Sequence, residues 1–237
     1  VNAELLLADL ESIEKRADTA AKRAQSGDKE AKALSNVLNK ILLSLQDGNA
    51  ARTVDIDKEE KKIFDGLQLL TAKPVLYVCN VEEDAAGDGN SQSVRVAEMA
   101  TGEGASSVVI SAAIESEVAQ LDAEERTEFL ETLGLEETGL TRIIRAGYEL
   151  LDLITFFTVG PKEARAWTVR RGAKAPQSAG VIHTDFERGF IRAETIAYDD
   201  FISGGGEQGA KDNGKMRAEG KEYVTHDGDV YHFRFNV

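Results

Sequence analysis

The sequence predicts an α/β layer preceded by a helical hairpin and followed by a smaller α+β unit. Three observations carry this expectation. Leucine and alanine recur at helical spacing as far as Leu45, helix-patterned and strand-patterned segments alternate from Ile56 to Ala112, and short β-rich runs take over beyond Leu151. With 237 residues, 42% of them hydrophobic and 30% charged, the chain can bury one large core or two to three small ones.

The first element pair is read from Leu6, Leu10, Ile13, Ala17, Ala20 and Ala24, then from Ala31, Leu34, Leu38, Ile41, Leu42 and Leu45. Ser26-Gly27-Asp28 separates the two stripes, with Asp28 as the amino-terminal cap of the second helix. So short a connection makes the pair an antiparallel hairpin, and its alanine face permits close approach. After the loop "QDGNAARTVD", "IDKEEKKIFDGLQLL" reads as a third helix capped by Asp55 or Asp57, running up to Pro74. Val75 to Cys79 then reads as a buried strand, "EDAAGDGNSQ" as a polar loop, Ser91 to Ala100 as a helix and "SSVVISAA" as a second buried strand. Helix, strand, helix, strand is the signature of a parallel sheet with crossover helices. Two more helices are expected over Asp122 to Leu133 and Thr138 to Leu151, the first capped by Asp122 and closed by Gly134. In the last part, "LITFFTVG", "EARAWTVRRG", "GFIRAETIAY" and "DVYHFRFNV" are strands, Gln177 to His183 is helical, and "SGGGEQGAKDNGK" is a disordered segment or surface hairpin loop.

Composition excludes several function classes. The net charge of −14 argues against general affinity for nucleic acid, and no DNA partner is expected. The charge is uneven, however. Asp152 to Val237 holds 12 basic and 13 acidic residues, net −1, leaving −13 for Val1 to Leu151. Arg165, Arg170, Arg171, Lys174, Arg188 and Arg192 therefore give the last part a basic supply the rest lacks. One cysteine, Cys79, excludes an internal disulfide and a multi-cysteine metal site. His183, His226 and His232 lack metal-ligand spacing, and Asp84, Asp88 and Asn90 do not match a calcium loop and read as a solvated turn. No apolar run reaches the roughly 20 residues of a membrane span. The acidic amino-terminal stretch is unlike a signal peptide, and a cytoplasmic protein is expected.

The chemistry-bearing stretch is Asn80-Val81-Glu82-Glu83, at the carboxyl end of the first strand, followed about thirty residues later by Ser111-Ala112 at the end of the second. In open α/β sheets, ligands sit at those ends. By itself an asparagine followed by acids is also what an ordinary polar turn shows. The pair of motifs resembles the Asn-Lys-x-Asp and Ser-Ala loops by which GTPase-type P-loop proteins read their base, with Val81 at the lysine position and Glu83 at the aspartate position. The closing stretches "AGVIHTDFERGFIRAE" and "DGDVYHFRFNV" resemble the YchF/Obg-like ATPase family.

That resemblance covers essentially the whole chain. It implies a partial P-loop GTPase-like parallel sheet with an inserted helical hairpin, and a terminal TGS domain of ubiquitin-like β-grasp shape. The implied domains are 1–70 for the hairpin and connecting helix, 71–152 for the carboxyl-terminal part of the nucleotide-binding domain, and 153–237 for the TGS domain. It further implies ATP preferred over GTP, with magnesium, and Asn80, Val81, Glu83, Ser111 and Ala112 as base contacts. A ribosome and ribosomal RNA partner, and a monomeric full-length protein, complete the expectation.

No G-x-x-x-x-G-K-[ST] run occurs in the sequence, and "GGGEQGAKDNGK" lacks the hydroxyl residue after lysine. No catalytic residue and no metal ligand is therefore assigned within this chain. The phosphate and magnesium groups are expected in an amino-terminal portion preceding the hairpin, and this polypeptide alone is expected not to hydrolyse ATP. A sheet without its first strands is also expected to expose apolar faces and edges. The alternative is a non-enzymatic adaptor, binding RNA or protein through the hairpin and the terminal domain.

Overall fold

The structure is a computed structural model, and it describes residues 2–236. It divides into two compact units, Val1–Gly147 and Tyr148–Val237. The hairpin and the parallel strands fall together in the first unit, and the division lies inside a helix, five residues before Leu153.

The first unit begins with α1 (Asn2–Gln25) and α2 (Lys29–Gln46). Asp28 caps α2 by accepting from the amides of Glu30 and Ala31, and Gly27 takes the positive φ that the turn requires. Ile13, Val37, Leu38 and Ile41 are fully buried between the helices, with Leu6, Leu10 and Ala17 packed at the margin. A 3₁₀ turn, Ala51–Thr53, follows, then α3 (Lys61–Gly66). This helix is far shorter than its sequence pattern predicts. Asp57 caps the turn ahead of it, accepting from Glu59 and Glu60, but the chain leaves the helical path at Gln68, where φ is +55°.

The reason for the early stop is tertiary. Leu67 and Leu69 are drawn into the hairpin core, and the buried Asp9 carboxylate of α1 takes over the backbone beyond them. Its oxygens accept from the amides of Leu70 (2.9 Å) and Thr71 (2.7 Å) and from the Thr71 hydroxyl (2.7 Å). Arg16 donates to the Leu67 carbonyl at 3.1 Å. A helix continuing to Leu70 would have to give up all of these.

β1 (Leu76–Asn80), a 3₁₀ turn at Glu83–Ala85, α4 (Ser91–Gly102) and β2 (Ser106–Ile110) form a right-sized crossover unit. The strands pair in parallel, Leu76 opposite Ser106 through Asn80 opposite Ile110. Neither strand is as buried as its apolar sequence predicts, and Val78 is 46% exposed. A two-stranded sheet leaves one edge of each strand open, and α4 packs against both. α5 (Ala112–Val118), which the sequence pattern did not reveal, starts directly after β2. α6 (Ala123–Thr132) has the expected Asp122 cap, completed by Glu125 into a reciprocal capping box, and Gly134 at positive φ closes it. α7 (Gly139–Leu150) is capped from a distance, since the Glu115 carboxylate accepts from Gly139 (2.6 Å) and Leu140 (3.1 Å). Among the described residues no helix is long and apolar enough to cross a membrane.

The second unit contains β3 (Leu153–Val159), β4 (Ala164–Arg170), α8 (Ala175–Ile182), α9 (Thr184–Arg188), β5 (Phe190–Ala197), α10 (Tyr198–Ser203), α11 (Glu207–Asp212), β6 (Arg217–Glu219) and β7 (Asp229–Phe235). Its strand order is β4-β3-β7-β5-β6, with β3 and β7 parallel and the remaining pairs antiparallel. One sheet face buries Ile154, Phe156, Tyr231 and Phe233 together with Ala175 and Ala179 of α8. His183 accepts from the Asp185 amide and caps α9, a structural use of that histidine.

The glycine-rich stretch is neither disordered nor a hairpin loop. It supplies α11, whose Ala210 is fully buried against Ile196 and Val230 on the opposite sheet face. Gly206 holds a φ of +120°, and a side chain at Gly209 would collide with the Gly204 carbonyl, so the glycines serve a tight helical corner.

The loop before β7 is tied down by Asp229, which is 3% exposed. It accepts from the hydroxyls of Tyr223 (3.0 Å) and Tyr231 (3.2 Å) and from the His226 amide (2.8 Å). Burial, reinforced by the Asp229 charge, pushes the Tyr223 phenol up to about 12, and burial raises that of Tyr231 as well. A raised folded-state pKa stabilises the fold below the unfolded value of 10.0, and that contribution disappears as pH climbs toward 12. Urea melts of the second unit, read by its single tryptophan Trp167, should therefore weaken across this alkaline window. Tyr223→Phe should make the decline shallower; an unchanged slope would show that this phenol does not carry it.

Candidate functional site

β1 and β2 end side by side, and their parallel register brings Asn80 opposite Ile110. The Asn80 side-chain oxygen accepts from the Ala112 amide at 2.9 Å, joining the two loops that leave the sheet. That use of the oxygen orients the Asn80 amide nitrogen outward as a donor with no protein partner among the described residues. The Val81 amide donates to the Ile110 carbonyl at 2.9 Å, extending the ladder one residue beyond β1. Of the Val81 backbone groups, only the carbonyl is left for a ligand, and the Val81 side chain is buried beneath it.

Ser111 is 2% exposed and its hydroxyl has no hydrogen-bond partner. A buried, unpartnered hydroxyl at a strand end is costly unless something else satisfies it. Ala112 lies exposed at the first position of α5. Glu83 opens the 3₁₀ turn, with its carboxylate exposed and unpaired among the described residues. Asn80, Val81, Ser111 and Ala112 are thus brought together by the sheet, whereas Glu83 stands on the turn beyond them.

Two supports of this site escaped the sequence reading. Asn90 does not merely form a solvated turn. Its side chain accepts from Gln92 and Ser93, while Ser93 returns a bond to the Asn90 amide, so the loop after Glu83 ends in a capping box. Arg142 of α7 donates to the Ala86 carbonyl at 2.9 Å and holds the same loop from the other side. The Asn90 signal was legible in "NSQS"; the Arg142 contact spans 56 residues and had no local signal.

The basic residues of the second unit are mostly neutralised. Arg171 pairs with Asp152 (3.2 Å), Arg192 with Glu194 (3.4 Å), Arg188 with Asp185 (3.9 Å) and Lys174 with Glu222. Arg165 lies over the Trp167 ring at 4.2 Å, and Arg170 has no charged partner among the described residues. No group of three or more histidine, cysteine, aspartate or glutamate residues able to hold a metal ion occurs among the described residues.

A parallel α/β layer with two polar loops meeting at its strand ends, carrying a long helical hairpin and followed by a mixed-sheet unit, defines the class: an α/β protein with a carboxyl-terminal α+β unit. A structure described as the Schizosaccharomyces pombe YchF GTPase matches 98% of this chain and 64% of its own, at a TM-score of 0.85 and 33% identity. A GTP-binding protein from Pyrococcus horikoshii OT3, 19% identical with a TM-score of 0.56, shares the fold. Residues 153–236 match the family YchF-GTPase_C, described as a protein of unknown function (DUF933). Curated relatives named ribosome-binding ATPase YchF are 55% identical in Pasteurella multocida (strain Pm70) and 52% identical in Bacillus subtilis (strain 168), each covering the whole of this chain. The chain spans 65% of the length of those relatives. Over its whole length the chain is thus similar to proteins named YchF, and residues 153–236 carry that family's carboxyl-terminal match.

Proposed function

We propose that this chain supplies the base-recognition part of a nucleotide-hydrolysing, ribosome-associated ATPase that prefers ATP to GTP. The observation that carries the reading is the Asn80–Ala112 bond, which fixes a free amide donor next to a free carbonyl at Val81. Adenine and guanine both offer an N7 acceptor, so the Asn80 amide selects a purine. The Val81 carbonyl makes the finer distinction. It can accept from the adenine N6 amino group but meets the guanine O6 acceptor with a lone pair. The Glu83 carboxylate would likewise oppose adenine N1, an acceptor, and serves at the rim. Ser111, with its unsatisfied hydroxyl, and the Ala112 backbone complete the pocket.

In the same reading, residues 1–70 are the inserted hairpin, 71–152 the carboxyl-terminal part of a P-loop GTPase-like domain, and 153–237 a TGS β-grasp domain. The names of the relatives support ribosome association; ribosomal RNA as the contact and the cytoplasm as the setting belong to the proposal. When bound to the full-length protein, ATP with magnesium would supply a charge-neutralised, transferable γ-phosphoryl group, and the residues of this chain would bind and orient the base. Calorimetry of the full-length protein with magnesium should show tighter binding of ATP than of GTP. Equal or stronger GTP binding would overturn the adenine assignment, and binding of neither would favour the adaptor reading.

A further inference from the structure

β4 is the outer strand of the five-stranded sheet, and its seven residues pair only with β3. Along Ala164–Val169 the outward amides and carbonyls have no backbone or side-chain partner among the described residues. Proteins usually blunt such an edge with proline, a bulge or a covering loop, because it is a template for pairing with another chain. β4 has none of the first two, and its pairing with β3 is regular from end to end.

Two further features lie along this edge. On one sheet face a groove of about 300 Å³ runs beside the small side chains of Ala164 and Ala166, walled by Phe157, Tyr198 and Ile202. Tyr198 and Ile202 are 48% and 58% exposed, so the groove has unburied apolar walls. The second feature is charge. In a chain of net charge −14, the segment Lys162 to Arg171 carries four cations and one carboxylate, and Lys162, Arg165 and Arg170 have no ion pair among the described residues. By strand alternation Ala164, Ala166, Thr168 and Arg170 share the groove face, while Arg165 and Trp167 share the other.

We infer that β4 is a docking edge for an acidic, extended peptide segment of another protein, which adds as a sixth strand. Backbone groups of the incoming segment pair with those of β4, aliphatic side chains on one face enter the groove beside Ala166, and carboxylates on the other face meet Arg165. Alternate apolar and acidic residues are thus the chemistry it selects. A nucleic acid would use the arginines but not the groove or the free backbone edge, and so fits the three features less well.

The test uses a fluorescein-labelled nonapeptide of alternating valine and glutamate. Anisotropy titration with the full chain should give saturable binding with a Kd on the order of 100 µM, as expected for a small transient interface. The binding should fall about tenfold or more in Ala166→Arg, which fills the groove, and in Arg165→Glu, which reverses the charge that the peptide carboxylates meet. Both positions are exposed, so folding should survive, and unchanged far-ultraviolet circular dichroism and melting would document it. Amide exchange should slow along Ala164–Arg170 when the peptide is bound. Equal binding of the valine–lysine peptide, or of one with alternate amides N-methylated, would overturn the inference. So would displacement of the peptide by oligouridylate with much tighter affinity, which would assign the arginines to RNA. Concentration-dependent dimerisation abolished by Ala166→Arg would overturn it in favour of a second copy of this chain.

Discussion

Asp9→Ala is expected to destabilise the first unit by about 3 kcal/mol. The carboxylate is 3% exposed and satisfies three donors at 2.7–2.9 Å, those of Leu70 and Thr71. Removing it strands those donors where water has little access, and each unsatisfied buried group costs about 1–3 kcal/mol. The damage should also spread, because the Thr71 hydroxyl accepts from the Ala51 amide at 3.0 Å and so ties the 3₁₀ turn to the same point. Far-ultraviolet circular dichroism, dominated by the hairpin helices, should show an earlier urea transition. Trp167 in the second unit supplies the internal control. A shift of less than about 1 kcal/mol would mean that water replaces the carboxylate, and that the segment before β1 is held by Leu67 and Leu69 instead.

Asn80→Ala, made in the full-length protein, is expected to weaken ATP binding roughly tenfold or more. Two interactions go at once, the outward amide donor and the bond that holds the Ala112 backbone against β1. ADP should lose the same factor, since the base is common to both. The contact is made equally in the ground and transition states, so KM should rise while kcat holds. Asn80→Asp separates the two roles. Its carboxylate can still accept from Ala112 but offers no donor, so it should bind as weakly as the alanine variant. Wild-type affinity in Asn80→Asp would remove the purine N7 contact from the proposal.

Much of the fold was legible because it is written in local pattern. The hairpin with its Asp28 cap, α6 with its Asp122 cap and Gly134 stop, and four of the strands of the second unit each carry their own periodicity and punctuation. The strand-end position of Asn80 followed from the same signals, and the resemblance of "NVEE" and "SAA" to base-reading loops assigned it a ligand class. What stayed hidden depends on distant partners. α3 stops early because Asp9 captures the backbone sixty-odd residues away. The glycine-rich run is helical because Ala210 finds an apolar seat on the sheet.

The sequence by itself determined where the capped helices α2, α4 and α6 and the apolar strands begin, which residues reach the ends of β1 and β2, and how charge divides along the chain, because caps, periodicity and composition act over a few residues. Only the tertiary structure decided which of those end groups remain free. Pairing with Ile110 consumes the Val81 amide, pairing with Ala112 turns the Asn80 amide outward, and the sheet order leaves the outer edge of β4 open. A hydrogen-bonding group is available to a ligand only once the fold has chosen partners for all its neighbours.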